Sequence, residues 1–171
     1  MKYGIAVFPS KDLQDQANSY RKRYDSHYSL IPPHITIKNT FEIVEEKLES
    51  CIQYIRSVTS TISPFTIHVY KIDSFFPKTN KIFFKIRSNP SLEQLHRLLH
   101  EGIIKEELSQ KFTPHVTIAQ NLTNQEHFDV LGQLKMHSIN HEETVDRIQL
   151  LYQLENGSWT VHETFHLGKD C

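Results

Sequence analysis

The sequence predicts an α+β domain made of two similar lobes, and two observations lead to this prediction. The string proline, histidine, apolar, threonine, apolar occurs twice, at Pro33–Ile37 and at Pro114–Ile118, once in each half of the chain. Strand-like and helix-like patterns also alternate along the chain, and each copy follows a strand and a helix. With 171 residues, of which 38% are hydrophobic and 23% charged, the chain fits one globular domain over residues 1–171.

The first predicted elements lead into the first copy of the string. An apolar run over Tyr3–Phe8, closed by Pro9, predicts an opening strand. Ser10 is a candidate N-cap for a polar helix over Asp12–Tyr24. A loop then leads to Pro33, where a missing N–H is tolerated at the start of a strand.

The middle of the chain predicts a helix and two strands. Apolar residues recur at helical spacing over Val44–Val58. Apolar and polar residues alternate over Phe65–Ile72 and again over Lys81–Arg87, which predicts two strands. The segment Phe75–Asn80 joins them as a turn.

The second copy of the string is also preceded by a helix. Asn89 is the predicted N-cap, Pro90 the first helical residue and Gly102 the stop after Glu101. A shorter helical turn is predicted over Ile104–Leu108. The second motif strand then covers Phe112–Ala119.

The last third of the chain predicts a helix and a hairpin. The helix covers Asn124–Gln133, and the hairpin strands cover Asp146–Leu154 and Trp159–Leu167. The turn between them falls at Glu155–Ser158, which contains glycine.

Composition excludes several classes of protein. The net charge of −1 gives no global field for nonspecific nucleic-acid binding, so a nucleic-acid ligand needs a local basic patch or must be small. Cys51 and Cys171 form no disulfide framework, which favours a reducing compartment and predicts a cytoplasmic protein. No apolar run is long enough for a signal peptide or a membrane span.

The repeated string places a histidine and a threonine on one face of a strand. Alternation puts His34 and Thr36 on the same face, about 7 Å apart, and does the same for His115 and Thr117. A third His-x-Thr string begins at His162 but lacks the proline and the apolar residues. Composition predicts about 0.005 copies of the full five-residue string, so two copies indicate a shared function.

These residue types suit acid–base chemistry at a phosphate. Histidine titrates near neutral pH, with an ordinary pKa of about 6.5, and threonine hydroxyls donate hydrogen bonds to phosphate oxygens. Lys38 falls at i+4 from His34 and is predicted to extend the same face as an additional phosphate contact, with a solvated strand-end lysine as the alternative.

Other residues are interpreted as structural. Three histidine pairs have i, i+4 spacing but no third ligand, so no metal site is predicted at His96/His100, His137/His141 or His162/His166. Phe75 and Phe76 are expected either to stack on a base at the cleft or to pack on the neighbouring helix. Core or hairpin packing is expected, with ligand contact as the alternative, for Arg87, Tyr3 and Trp159.

The two strings and their separation resemble those of the two-histidine (2H) phosphoesterase superfamily, in particular its YjcG-like branch. The resemblance implies two pseudo-twofold related, antiparallel-rich sheets with helices outside and a central cleft. It implies metal-independent and cofactor-free hydrolysis of 2′,3′-cyclic or 2′–5′ phosphodiesters, with His34 and His115 as acid and base and Thr36 and Thr117 as phosphate binders. By the same analogy His34 is the proton donor and His115 the acceptor.

The resemblance also implies the ligand class. The partner is expected to be a small phosphoester, a nucleotide or an RNA terminus, with neither a membrane nor an obligate protein partner. Two alternatives stay open from the sequence: a nucleotide- or RNA-binding module that does not turn over, and a phosphoesterase for small molecules unrelated to RNA. No run of five or more basic residues argues for a long RNA.

Overall fold

The computed structural model describes residues 1–103 and 111–168, which form eight strands and four helices. In chain order these are β1 (Lys2–Val7), α1 (Lys11–Tyr24), β2 (Ile35–Glu42), α2 (Glu45–Ser60), β3 (Phe65–Ser74), β4 (Ile82–Ile86), α3 (Pro90–Gly102), β5 (His115–Ala119), α4 (Asn124–Leu134), β6 (His141–Val145), β7 (Arg147–Gln153) and β8 (Trp159–His166). The predicted turn over Ile104–Leu108 lies outside the described residues.

All strands belong to one antiparallel sheet that curls into a half-barrel, in the order β6-β3-β4-β5-β2-β1-β7-β8. We call β2, β1, β7 and β8 the first half-sheet and β5, β4, β3 and β6 the second. The two halves are joined where β2 pairs with β5, at Ile35 and Val116. The two predicted sheets are therefore the halves of one sheet, and the predicted α+β fold is confirmed.

The helices cover one face of the sheet, here called the covered face, and leave the other as the open face. Helix α1 packs against β5, α3 against β2, α2 against β8 and α4 against β3. Apolar side chains of these helices and strands form one buried cluster, which includes Leu13, Ile35, Ile55, Leu95 and Val116. Burial of such side chains stabilises the fold by about 1.5–3 kcal/mol each.

Helices α1 and α3 occupy equivalent places in the two halves. Each follows the strand that pairs with a motif strand, β1 or β4, and precedes that motif strand, β2 or β5. Each then packs on the motif strand of the other half. The two halves therefore repeat the order strand, helix, motif strand, as the two strings predict, with the helices packed across the halves.

Two predicted helix ends have physical causes that the structure shows. The Asn89 side chain accepts hydrogen bonds from the backbone N–H groups of Ser91 and Leu92, which confirms it as the N-cap of α3. Gly102 is the last residue of α3, and the Tyr54 ring lies against it: a Cβ there would come within 1.9 Å of that ring. A side chain at position 102 would therefore displace the Tyr54 ring of α2.

Strand β6 is the element that the sequence pattern missed. Its five residues, His-Glu-Glu-Thr-Val, carry little apolar alternation because β6 is an edge strand that pairs only with β3 among the described strands. The β7–β8 hairpin is confirmed. Its turn closes through a hydrogen bond from the Leu154 N–H to the Ser158 carbonyl, and Gly157 adopts a φ of 89° there.

Candidate active site

The two motif strands meet at the centre of both strings. Ile35 pairs with Val116 in an antiparallel arrangement. His34 and Thr36 flank this pair on one strand, and His115 and Thr117 flank it on the other, all on the same side of the sheet. The pairing therefore brings both histidines and both threonines into one group around a local twofold axis.

Burial alternates along both motif strands as the sequence predicts. Ile35 and Val116 are fully buried on the covered face, whereas the motif histidines and threonines are partly exposed on the open face. The predicted sharing of a face by His34 and Thr36, and by His115 and Thr117, is thus confirmed.

Both histidines are held in the same way by backbone carbonyls. Nδ1 of His34 lies 2.9 Å from the Pro32 oxygen, and Nδ1 of His115 lies 2.6 Å from the Thr113 oxygen. A carbonyl only accepts, so each Nδ1 carries the proton and donates it. Nε2 is then the basic nitrogen of each neutral ring and the donor of each imidazolium.

His115 has an aromatic environment. The Phe75 ring meets it edge-on at 4.9 Å between centroids, and the Phe83 ring lies at 5.0 Å. Burial lowers the pKa of His115 to about 4, and the positive charges of Lys81 and His34 act in the same direction. The Phe75 of the predicted turn therefore belongs to the site.

His34 lies near a buried ion pair. Arg21 and Asp25 of the α1 end are 2.9 Å apart with side chains only 2% exposed, and Arg21 also donates to the Ile31 carbonyl at 2.6 Å. Burial lowers the pKa of His34, and the Arg21 and Lys81 cations lower it further, while the Asp25 carboxylate acts in the opposite direction. The ion pair thus ties the loop that leads to His34 and affects its charge.

Lys81 is a site residue that sequence reasoning missed. It directly precedes β4 and is half-buried, and its carbonyl accepts a hydrogen bond from the Phe75 N–H at 3.1 Å. Burial lowers the pKa of Lys81, and Asp25 opposes this effect. Its charge acts on both His34 and His115. The alternation Lys81, Phe83, Lys85, against core residues between them, is the signal that could have placed it on the open face.

The prediction that Lys38 extends the face of His34 and Thr36 is wrong. Thr36 pairs with Ala6, but Lys38 pairs with Ile5, because a bulge at Ile37 adds a residue to β2. Lys38 therefore shares the covered face with Ile5, is 1% exposed and lies over the Phe41 ring at 5.5 Å.

The charge of Lys38 acts on helix residues instead of on the motif histidines. Burial raises the pKa of Cys51 to about 11, which Lys38 opposes. Burial, His100 and Lys38 lower the pKa of His96 to about 4. Cys51 is buried, as predicted, and such a thiol is unreactive.

The other candidates have structural places. Tyr3 is 5% exposed in the core, and the Trp159 ring lies over Gly4. His96 stacks on Phe112 at 4.0 Å between centroids. Phe76 is 41% exposed and stacks on His127.

Over residues 1–103 and 111–168, no three His, Cys, Asp or Glu side chains are grouped so as to hold a metal ion. Within the same residues, no helix is long and apolar enough to cross a membrane.

Comparisons with known proteins identify relatives of this chain. The sequence profile of the 2′-5′ RNA ligase superfamily matches residues 9–157. The "Putative phosphoesterase BH1439" of Halalkalibacterium halodurans is 55% identical over 170 residues, which cover 99% of both chains. The "Putative phosphoesterase Bcer98_0945" of Bacillus cytotoxicus is 52% identical over 169 residues, which cover 99% of this chain and 98% of the relative.

Solved structures show the same fold at low sequence identity. Escherichia coli LigT in complex with 3′-AMP superposes with a TM-score of 0.73 at 14% identity, over 98% of each chain. TT0787 of Thermus thermophilus superposes with a TM-score of 0.69 at 17% identity, over 100% of each chain. From the profile match and these relatives, the chain belongs to the 2′-5′ RNA ligase superfamily of two-histidine enzymes, which act on phosphodiester bonds.

Proposed function

We propose that the protein hydrolyses a 2′,3′-cyclic or 2′–5′ phosphodiester of a nucleotide or an RNA end by acid–base catalysis with His34 and His115. The observation that carries the proposal is the paired motif register, which groups two histidines with equally anchored Nδ1 atoms and two threonines. Structures of E. coli LigT with 3′-AMP, ATP and phosphate support a nucleotide or phosphate ligand.

His115 is the base in this proposal. Its pKa of about 4 keeps the ring neutral at pH 7, so Nε2 is free of a proton and accepts one from the attacking water. The aromatic rings of Phe75 and Phe83 maintain this state because they surround the imidazole with apolar area.

His34 is the acid. It donates its Nε2 proton to the ribose oxygen that leaves as the phosphorus–oxygen bond breaks, so that one proton is taken up and one is released in each turnover. The negative charge of a bound phosphate favours the imidazolium form of His34, as does the nearby Asp25 carboxylate. No carboxylate acts on His115 in this way among the described residues.

The phosphate is held by hydroxyls and by one ammonium group. Thr36 and Thr117 lie on the same side of the sheet as the histidines and donate to the non-bridging oxygens. Lys81, whose charge reaches both histidines, takes the place that the sequence suggested for Lys38 and neutralises the charge that develops in the transition state. These groups supply acid, base and cation, so the proposed reaction requires no metal ion.

The test is a hydrolysis panel of 2′,3′-cyclic nucleotides, 2′–5′ dinucleotides and small cyclic phosphates in the presence of EDTA. The wild-type protein is compared with His34→Ala, His115→Ala and the matched control His162→Ala, which removes the histidine of the third string. We expect turnover of one substrate class that each motif variant loses and the control retains. Nucleotide binding without cleavage would favour a binding module, and cleavage of only non-nucleotide phosphates would favour a small-molecule enzyme.

A further inference from the structure

Strand pairing assembles a basic patch beside His115 from residues that are far apart in the sequence. Lys85 lies directly opposite His115 on the neighbouring strand, and Lys71 lies directly opposite Lys85 on the next one. Directly opposite residues share a face, and neighbouring strands are about 4.8 Å apart, so the two lysines extend outward from the site in a row.

Arg87 and an aromatic ring complete the patch. Two cations lie near the Tyr70 ring: the Arg87 guanidinium is 4.2 Å from its centroid and the Lys71 ammonium 5.7 Å. Lys71 and Arg87 are exposed, and Lys85 and Tyr70 are partly exposed. Basic groups interleaved with an exposed aromatic ring are typical of surfaces that bind single-stranded nucleic acid.

The acidic groups near the patch leave it positive. Asp73 lies 3.5 Å from Lys71 and 3.9 Å from Lys85. Glu142 lies 3.9 Å from His68, which in turn accepts a hydrogen bond from Arg87 at 3.0 Å. Three permanent cations thus face two carboxylates. The single Asp73 carboxylate is shared by Lys71 and Lys85, so it offsets only part of their combined charge.

From this arrangement we propose that Lys85, Lys71, Arg87 and Tyr70 bind the RNA chain that carries the scissile phosphate, with a neighbouring phosphate on the lysines and a base on Tyr70. This inference rests on the proposed function and makes it narrower: the substrate is an oligonucleotide end in preference to a mononucleotide. A patch built by strand pairing also explains how a chain of net charge −1 meets a polyanion without any basic run.

The first experiment compares kcat/KM on 2′,3′-cyclic AMP with kcat/KM on a trinucleotide that ends in a 2′,3′-cyclic phosphate. We expect at least a tenfold preference for the trinucleotide. Lys71→Ala and Arg87→Ala should each reduce that preference threefold or more and change the rate on cyclic AMP less than twofold. The matched control is Lys47→Ala, an exposed lysine on α2. Equal efficiency on both lengths, or equal effects of Lys71→Ala and Lys47→Ala, would overturn the inference.

The second experiment does not depend on turnover. Fluorescence anisotropy measures the binding of a labelled oligoribonucleotide with a 3′-terminal phosphate, with unlabelled 3′-AMP as competitor. The logarithm of the association constant falls as the logarithm of the salt concentration rises, and Lys71→Ala should make this dependence less steep by about 0.7. Asp73→Asn should tighten binding. RNA binding that needs Lys71 without any cleavage would support the patch as an RNA-binding surface and refute hydrolysis. Cleavage of cyclic AMP without RNA binding would do the reverse.

Discussion

The two half-sheets present the same motif in different surroundings. From His115 the row of open-face residues continues with Lys85 and Lys71, whereas from Thr36 it continues with the uncharged Ala6, Gln149 and Thr164. His115 lies among phenylalanines, and His34 lies beside a buried ion pair. In the proposed mechanism, the repeated five-residue string therefore fixes the position of each imidazole, and the neighbouring residues fix its charge.

The largest expected effect comes from removing either histidine, and the leaving group distinguishes their roles. His34→Ala and His115→Ala should each lower kcat by about 10²–10⁴-fold on a ribose diester. A p-nitrophenyl phosphodiester needs no acid, because its leaving group is stable as an anion. It should restore most of the rate of His34→Ala and none of that of His115→Ala. The reverse pattern would exchange the two roles.

The ion pair of the first half-sheet should dominate the stability of its histidine loop. Asp25→Ala leaves Arg21 buried without its carboxylate, and we expect the free energy of unfolding in urea to fall by roughly 3–5 kcal/mol. Asp15→Ala is the matched control, since it breaks the exposed Lys11–Asp15 pair on the same helix and should leave the free energy of unfolding nearly unchanged. Similar losses in the two variants would mean that the buried pair contributes no more than a surface pair.

Lys81 acts on both halves, so its removal should shift both titrations in the same direction. In Lys81→Met, kcat/KM should fall about 10–100-fold, because the phosphate loses a cation. Both limbs of its pH profile should move to higher pH, because Lys81 lowers the pKa of each histidine. A profile that keeps its position while the rate falls would limit Lys81 to substrate binding. Lys47→Met serves as the unaffected control.

The last prediction concerns stability in acid. The folded-state pKa of His115, about 4, lies below the ordinary value of 6.5, so between these pH values the unfolded chain binds a proton that the folded chain does not. The free energy of unfolding therefore falls as pH drops through this window, by at most about 1.4 kcal/mol per pH unit from this residue. His115→Gln should show a shallower fall than the wild type in urea titrations from pH 7 to pH 4. An unchanged slope would contradict the lowered pKa.

The sequence predicts the motif face well because strict alternation beside a proline leaves one arrangement for His34, Thr36, His115 and Thr117. It fails at Lys38 for a physical reason: a bulge adds one residue to β2 and turns Lys38 onto the covered face. The second motif strand behaves likewise, since Ile118 and Ala119 are both buried in the core. A bulge leaves little trace in the hydrophobic pattern of a single short strand.

Long-range pairing sets the remaining limits on prediction. Lys81, Lys85 and Lys71 approach the motif only through the register of β3, β4 and β5, which no local pattern contains. Strand β6 escaped because an edge strand needs few apolar residues. The sequence shows that the two strings are repeated. It does not show that the two half-sheets join into one sheet, which depends on the pairing of Ile35 with Val116.

Because helices α1 and α3 pack on the opposite halves, the helix that precedes a motif strand in the sequence is not the helix that packs against it. Helix α1 precedes His34 in the chain, yet it packs on β5, and its Tyr20 meets Phe84 of β4 at 6.1 Å. A substitution of an apolar α1 residue that leaves Arg21 and the His34 loop intact should therefore disturb His115 first, and one in the apolar face of α3 should disturb His34 first. Cutting the chain between β2 and β4 would leave each fragment with a helix whose packing surface is in the other. The paired surface of β2 and β5 can consequently become fully supported only once the chain has been synthesised past β5.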